Sequence, residues 1–392
     1  MSENLARQFL LDETVVFLNH GSYGACPRPV FETWQGWQRL LESQPVAFLD
    51  PKRGYVERMR NSREAMATEL GTSADNVVGV VNATAGLNIV AQSLKLAPGD
   101  EILTTDHEYA ALEKTWAYVC RRTGAVVKPV TVPLPLTSEA DFTAAILEGM
   151  NERTRVLFLS HITSPTALVF PIENVVAEAK RRGIWTVIDG AHTPGHIPLD
   201  LEALDVDFYA GNCHKWMMAP KGSAFLYVRP ELQTMIDPLV ISHGWTADNK
   251  EPGAVGPFGN TPFIDSIEMQ GTRDPSAWMT VVEAIRFRQA NDWNEVAIRC
   301  RDLAQATAAE MARITGLHPL SAPQFCAPQM VAMPIPPCDP EWVHDTLIRD
   351  YNIEIPVFRW KDHHIARLSV QGYNNHKQTE ALVDALKAIL QL

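Results

Sequence analysis

The chain has 392 residues and a net charge of −12, with 46% hydrophobic and 20% charged residues. That balance fits a water-soluble globular protein of two unequal domains, and without a basic run it excludes nucleic acid and anionic membrane as main partners. No secretion-type N-terminus or membrane-length apolar stretch is visible, and six scattered cysteines without a C-x-x-C pair point to reduced thiols in the cytoplasm.

The first landmark is Asn19-His20-Gly21-Ser22-Tyr23-Gly24. Two glycines beside His and Tyr predict either a tight loop passing close to another group or a plain turn. Pro27 and Pro29 introduce a helix over residues 30–41, and an amphipathic helix over 55–70 stops at Gly71. From residue 76 strands and helices alternate. Strands are expected at 77–81, 101–105, 125–132, 155–159, 184–188, 206–210 and 223–228. Helices are expected at 87–94, from the loop after residue 105 to about 122, at 139–150 and at 172–182. This alternation predicts an α/β fold with a mainly parallel sheet and right-handed crossovers. The Gly- and Pro-rich stretch 245–262 reads as an irregular loop at a site or interface. A helical pattern then runs from 276 to about 315, broken near Asn291, and a smaller α+β region completes the chain.

Each strand that matters ends in a chemically distinctive loop. Asn82-Ala83-Thr84-Ala85-Gly86 follows an apolar strand and precedes a helix, an arrangement that aims N–H groups and the positive helix end at an anion. An N-cap at Thr84 explains the same residues nearly as well. Asp106-His107-Glu108-Tyr109 brings a flat side chain, Asp189 a carboxylate, and Asn212-Cys213-His214-Lys215-Trp216 an amine. In open α/β sheets ligands bind outside the carboxyl ends of strands, where all of these fall. A phosphate cradle, a stacking ring, a carboxylate and a lysine together suit pyridoxal 5′-phosphate. Its ring nitrogen needs a carboxylate to stay protonated, and its aldehyde needs a lysine for the Schiff base. Neither G-x-G-x-x-G nor a P-loop is present, which disfavours nicotinamide and nucleotide readings. His192 and His196 have i, i+4 spacing, but Pro194 prevents the helix that would join them, so no metal is expected.

In this order and spacing, the loops 82–86, 189–192 and 212–216 make the chain resemble the class V aminotransferase superfamily of fold-type I pyridoxal-phosphate enzymes, in its isopenicillin N epimerase-like branch. The resemblance implies a mainly parallel seven-stranded sheet with helices on both faces and a smaller α+β C-terminal domain. It implies an N-terminal segment (1–20) packing on the small domain or a partner, a large domain (21–275) and a small one (276–392). Lys215 is then the Schiff-base lysine, Asp189 the partner of the ring nitrogen, and His107 the ring stacked on the face away from the lysine. Ala83, Thr84 and His214 are expected at the phosphate, and His192 near the ring hydroxyl. Thr163 and Tyr209 are expected beside the cofactor. Gly271 and Thr272 of a neighbouring subunit would complete the cradle, which implies a homodimer. Arg367 is the expected clamp for the substrate α-carboxylate, with Asn19, His20 and Tyr23 bordering the substrate. Plainer readings exist for several of these: Lys221 as the lysine, His161 as a core histidine, Arg273 ion-paired with Asp274, and His214 packed beside Trp216.

The resemblance implies an epimerase or racemase acting at an amino-acid α-carbon. A C–S lyase or aminotransferase on the same scaffold is the alternative, and a non-catalytic binding protein the remote one. The approach to Arg367 holds no cysteine, which disfavours desulfuration through a protein persulfide.

Overall fold

The computed structural model describes residues 3–246 and 253–392, so part of the 245–262 stretch lies outside the described residues. Its strands are β1 (Val16–Phe17), β2 (Val77–Val80), β3 (Glu101–Thr105), β4 (Val126–Val130), β5 (Thr154–Ser160), β6 (Trp185–Asp189), β7 (Phe208–Asn212), β8 (Ala224–Val228), β9 (Met330–Ile335), β10 (Ile353–Glu354), β11 (Val357–Trp360) and β12 (His363–Ser369). Seven of them form one sheet in the order β2-β8-β7-β6-β5-β3-β4. β8 runs antiparallel to both its neighbours and the remaining pairs are parallel. The chain is therefore an α/β protein with a mainly parallel seven-stranded sheet, as the alternating pattern requires.

The inner strands are buried on both faces of the sheet, whereas the edge strand β4 is partly exposed. Their period of two sorts the side chains between layers. Val78, Val80, Phe158, Val187, Phe208, Ala210 and Leu226 face one layer, which includes the helices Ala83–Ser93 and Ala110–Thr123. Val77, Leu157, Leu159, Ile188, Tyr209 and Phe225 face the other, where the core continues into the C-terminal region. Each such leucine or phenylalanine contributes about 1.5–3 kcal/mol through burial.

A three-stranded antiparallel sheet, β11-β12-β9, forms the C-terminal region with the helices Trp293–Thr315, Pro340–Tyr351 and His376–Leu390. β1 pairs in parallel with β10, and Asn19 bridges to Ser369 at the end of β12. This stitches the residues just before Gly21 to the strand that carries Arg367.

Three local differences from the sequence reading have clear causes. The helix expected from residue 87 begins at Ala83, because the Asn82 side chain caps it by accepting from the Ala85 N–H at 2.8 Å. Within the 245–262 region, Thr261 caps a helix Pro262–Glu268 whose proline sits at its first turn. The long pattern after 276 is three helices, Ser276–Met279, Val281–Ala290 and Trp293–Thr315, the last break falling at Asp292 with φ of 48°. No helix among the described residues is long and apolar enough to cross a membrane.

Candidate active site

A cleft of about 420 Å³ opens outside the C-terminal ends of β5, β6 and β7, bordered by the start of the helix Ala83–Ser93, by residues 21–23 and by Arg367 of β12. A larger cavity, about 510 Å³, borders residues 230–237 and 261–266, and none of its described lining residues is a lysine, arginine or histidine. The chemistry therefore lies in the smaller one.

Lys215 follows β7 and reaches into the cleft, its Nζ 2.9 Å from His192 Nε2. Burial and the Arg367 guanidinium push its amine down to about 7, against the opposing pull of Asp189. Asp189 ends β6. Its Oδ1 accepts from the Ala191 N–H at 2.8 Å, and burial raises its carboxyl to about 6 while Lys215 opposes the rise. No ion pair joins Asp189 to Lys215 among the described residues, so each is available to address a different part of one ligand.

The anion-binding end of the cleft is the N-terminus of the helix Ala83–Ser93. Asn82 caps it, Asn212 Oδ1 accepts from the Ala83 N–H at 2.9 Å, and Thr84 lines the cleft. His214 lies beside them with its Nδ1 buried and unpartnered, and burial pushes its ring down to about 4. At the other end Arg367 is 6% exposed. It donates to Ser164 O at 2.7 Å, to Ser164 Oγ at 3.1 Å and to Ser22 Oγ at 3.0 Å, while its Nε is buried without a partner. The uncommitted His214 Nδ1, the capped helix terminus, the carboxylate and the lysine held near 7 fit pyridoxal 5′-phosphate, each meeting one need of that molecule.

Ala83, Thr84, Asp189, His192, His214, Lys215, Arg367 and Tyr23 thus line one cleft. Other predicted residues do not. His107 is fully buried behind the wall, its Nδ1 2.7 Å from Thr166 Oγ1 and its ring 4.5 Å from Trp360. Tyr109 lines the cleft in its place. The turn is fixed by Glu108, whose carboxylate accepts from Thr105 Oγ1 at 2.6 Å, the Ser160 N–H at 2.9 Å and Ser160 Oγ at 2.6 Å. Tyr209 points to the opposite face of the sheet, its hydroxyl 2.6 Å from Thr193 Oγ1 and 2.9 Å from His161 Nδ1. Thr163 is buried in a turn, where its Oγ1 accepts from the Leu168 N–H at 2.9 Å.

His20 is also fully buried, between Tyr373 and the Lys215 carbonyl, and steadies the lysine's backbone without lining the cleft. Asn19 stands behind Ser22, accepting from Ser22 Oγ at 2.5 Å and donating to Glu354 at 2.8 Å. Gly271 and Thr272 are exposed and outside this cleft. Of the plainer readings, Lys221 is turned away, donating to Gly24 O at 2.9 Å. No ion pair joins Arg273 to Asp274 among the described residues; Arg273 reaches Glu268 O at 3.4 Å instead. Ser22, Asn82, Tyr109, Ser164 and Asn212 line the cleft without having been singled out for roles there. Their one sequence signal is position: each flanks a strand end or helix start that carries a predicted residue.

The hairpin of β11 and β12 reaches across to the same wall. Its tip places Trp360 on His107, and Lys361 pairs with Asp106. β11 was not foreseen as a strand; Val357, buried, and Phe358 to Trp360, less so, pair along β12.

Residues 38–382 match the family described as aminotransferase class-V. The chain is 36% identical over 392 residues to isopenicillin N epimerase of Amycolatopsis lactamdurans, covering 98% of each. It is 27% identical to an L-cysteine desulfhydrase of Arabidopsis thaliana, covering 96% of this chain and 88% of that one. Among solved structures, a cysteine desulfurase from Escherichia coli superposes with a TM-score of 0.81 at 23% identity, covering 100% and 99% of the two chains.

Proposed function

The chain belongs to the aminotransferase class-V family and is a pyridoxal-phosphate enzyme, and on that premise we propose that it inverts the α-carbon of an amino acid or amino-acid-containing substrate. The observation that carries this reading is the proton inventory of the cleft. An amine held near neutrality, Lys215, shares it with the hydroxyls of Tyr23 and Tyr109, and no cysteine is among its lining residues. Inversion needs a group that takes a proton and a group that returns one, and this cleft holds both kinds. Persulfide chemistry needs a thiol there. Cys338 instead sits 3.6 Å from His364 Nδ1, outside the cleft. The near full-length similarity to an isopenicillin N epimerase supports the same choice.

When bound, pyridoxal 5′-phosphate supplies an aldehyde for covalent capture of amines and a ring that acidifies the α-hydrogen. In this reading Lys215 would hold the aldehyde through its amine and would be the group that takes up the α-proton. Asp189 holds a proton on the ring nitrogen, and His192 donates to the ring hydroxyl oxygen. Thr84, through its N–H and hydroxyl, and His214 would bind the phosphate beside Ala83, whose own N–H is held by Asn212, joined by Gly271 and Thr272 of a second copy. Arg367 binds the substrate carboxylate beside Ser22 and Ser164. Tyr109 would take the ring face that the resemblance assigns to His107.

A C–S lyase is the second reading, favoured by the similarity to L-cysteine desulfhydrase. Incubation with candidate L-amino acids and peptides in deuterated water separates the two. Inversion accompanied by α-deuterium supports the epimerase. Release of keto acid, with or without sulfide, and no inverted product would rule it out.

A further inference from the structure

We infer that Trp216 is a positioning residue that fixes the tautomer of His192, leaving the single imidazole proton on Nε2 and aimed at Lys215. Trp216 Nε1 stands 3.3 Å from His192 Nδ1. An indole N–H only donates, so Nδ1 must be the bare, accepting nitrogen. Both residues are buried, and burial together with Lys215 and Arg367 holds the His192 ring far below its ordinary protonation range. A neutral imidazole has one N–H, and here it lies on Nε2, 2.9 Å from Lys215 Nζ. That geometry accepts a free amine, whose lone pair receives the hydrogen bond. It rejects an ammonium, which has only donors to offer.

The indole is itself held in place. His196 stacks on it at 3.9 Å and 23°, and His20 packs at 5.2 Å. His196 Nε2 accepts from the Gln329 N–H at 2.9 Å, so its Nδ1 carries the proton to His192 O at 3.0 Å. His20 Nε2 lies 3.0 Å from Lys215 O, which only accepts, so its proton is fixed there. The groups facing the lysine and His192 are Asp189 from β6, Arg367 from β12, and His20, His196 and His214; of these Asp189 alone is anionic and favours the ammonium. The His192 tautomer therefore works with Arg367 and burial to keep Lys215 nucleophilic. On the proposed-function reading, on which this step rests, the same Nε2–H then serves the ring oxygen.

Two measurements on the full-length protein test this. In histidine labelled with nitrogen-15, with His192→Gln used to assign the signal, His192 must show a protonated Nε2 and a bare Nδ1; the reverse pattern overturns the inference. In protein stripped of cofactor, the pH dependence of covalent pyridoxal 5′-phosphate uptake reads the lysine. Trp216→Phe frees Nδ1, lets Nε2 accept from an ammonium, and moves the uptake midpoint up by about one pH unit, or about tenfold slower uptake below it. A midpoint unchanged in a folded Trp216→Phe protein also overturns it. If the wild type takes up no cofactor at any pH, the cofactor reading fails, and the nitrogen shifts still decide the tautomer.

Discussion

Tyr109 and His107 stand two residues apart, and what lies behind each ring separates their roles. Tyr109 is 46% exposed at the cleft, whereas His107 is enclosed by Trp360, Phe170 and Thr166. Tyr109→Ala is expected to weaken cofactor retention by about 3- to 10-fold, the worth of one aromatic face-packing contact, as read by equilibrium dialysis. His107→Ala should instead lower unfolding stability by about 2–4 kcal/mol through a cavity, with retention per folded molecule unchanged. The amine of Lys215 gives a pH signature. Because its protonation is pushed down to about 7, the nucleophilic form is scarce below that pH and dominant above it. The rate of cofactor uptake should climb through about pH 7, whereas an ordinary lysine would still be climbing near pH 10. A profile flat across pH 6 to about 8 would contradict this. The sequence exposed Lys215, Asp189 and Thr84 because charge and small polar groups at strand ends are rare enough to notice, whereas Arg367, inside β12, was marked only by the resemblance. It could not choose between two rings on one turn, since the backbone of residues 106–109 is set by Glu108 reaching Ser160, a contact between distant segments. Tyr209 failed for a simpler reason: alternation says neighbours face opposite ways, but not which face holds the ligand.

At the scale of elements, the cleft depends on where helices start and how closely loops pass. The side chain of Asn82 holds the first turn of Ala83–Ser93, so Asn82→Ala should cost about 1 kcal/mol in denaturant unfolding and loosen cofactor binding with it. Gly24 shows why residues 20–24 needed glycine. Its φ is 69°, and a Cβ there would meet His214 O at 2.0 Å and Lys215 Cα at 3.2 Å. Gly24→Ala is therefore expected to displace either that loop or the lysine's backbone, costing at least about 2 kcal/mol and most of the cofactor uptake; calorimetry and uptake assays on the same sample would check both. The glycine pair was legible as a warning of close approach, although its partner was not. The strand spacing was legible because the sheet strands are short, four to seven residues, and each carries a run of apolar residues between helical stretches. β11 was hidden by Arg359 and the partly exposed residues around it, and the helix Pro262–Glu268 by the surrounding glycines and prolines, even though Thr261-Pro262 is a helix-start signal.

At the scale of the whole molecule, the consecutive exposed apolar residues Leu239, Val240 and Ile241 present a surface suited to a partner. The expected homodimer would cover such a surface and bring Gly271 and Thr272 to a second cleft. Light scattering should then give twice the chain mass. A sharper test mixes Lys215→Ala subunits with Thr272→Glu subunits after unfolding and refolding together. Each variant alone should be inactive, and the mixture should recover about a quarter of the wild-type sites, those pairing an intact lysine with an intact Thr272 across a two-fold interface. No recovery would place Thr272 outside the neighbour's cleft. The β11–β12 hairpin has its own consequence at this scale. Arg367 lies on β12, and the hairpin's tip is pinned by Trp360 and Lys361 to the turn that carries Tyr109. In the proposed reading, the arm that would grip a substrate's carboxylate is thus braced against the turn whose tyrosine would face the cofactor ring. Their separation would then be set before any substrate arrives, like the gap of a locked caliper, so that selection would fall on the carboxylate end of the molecule.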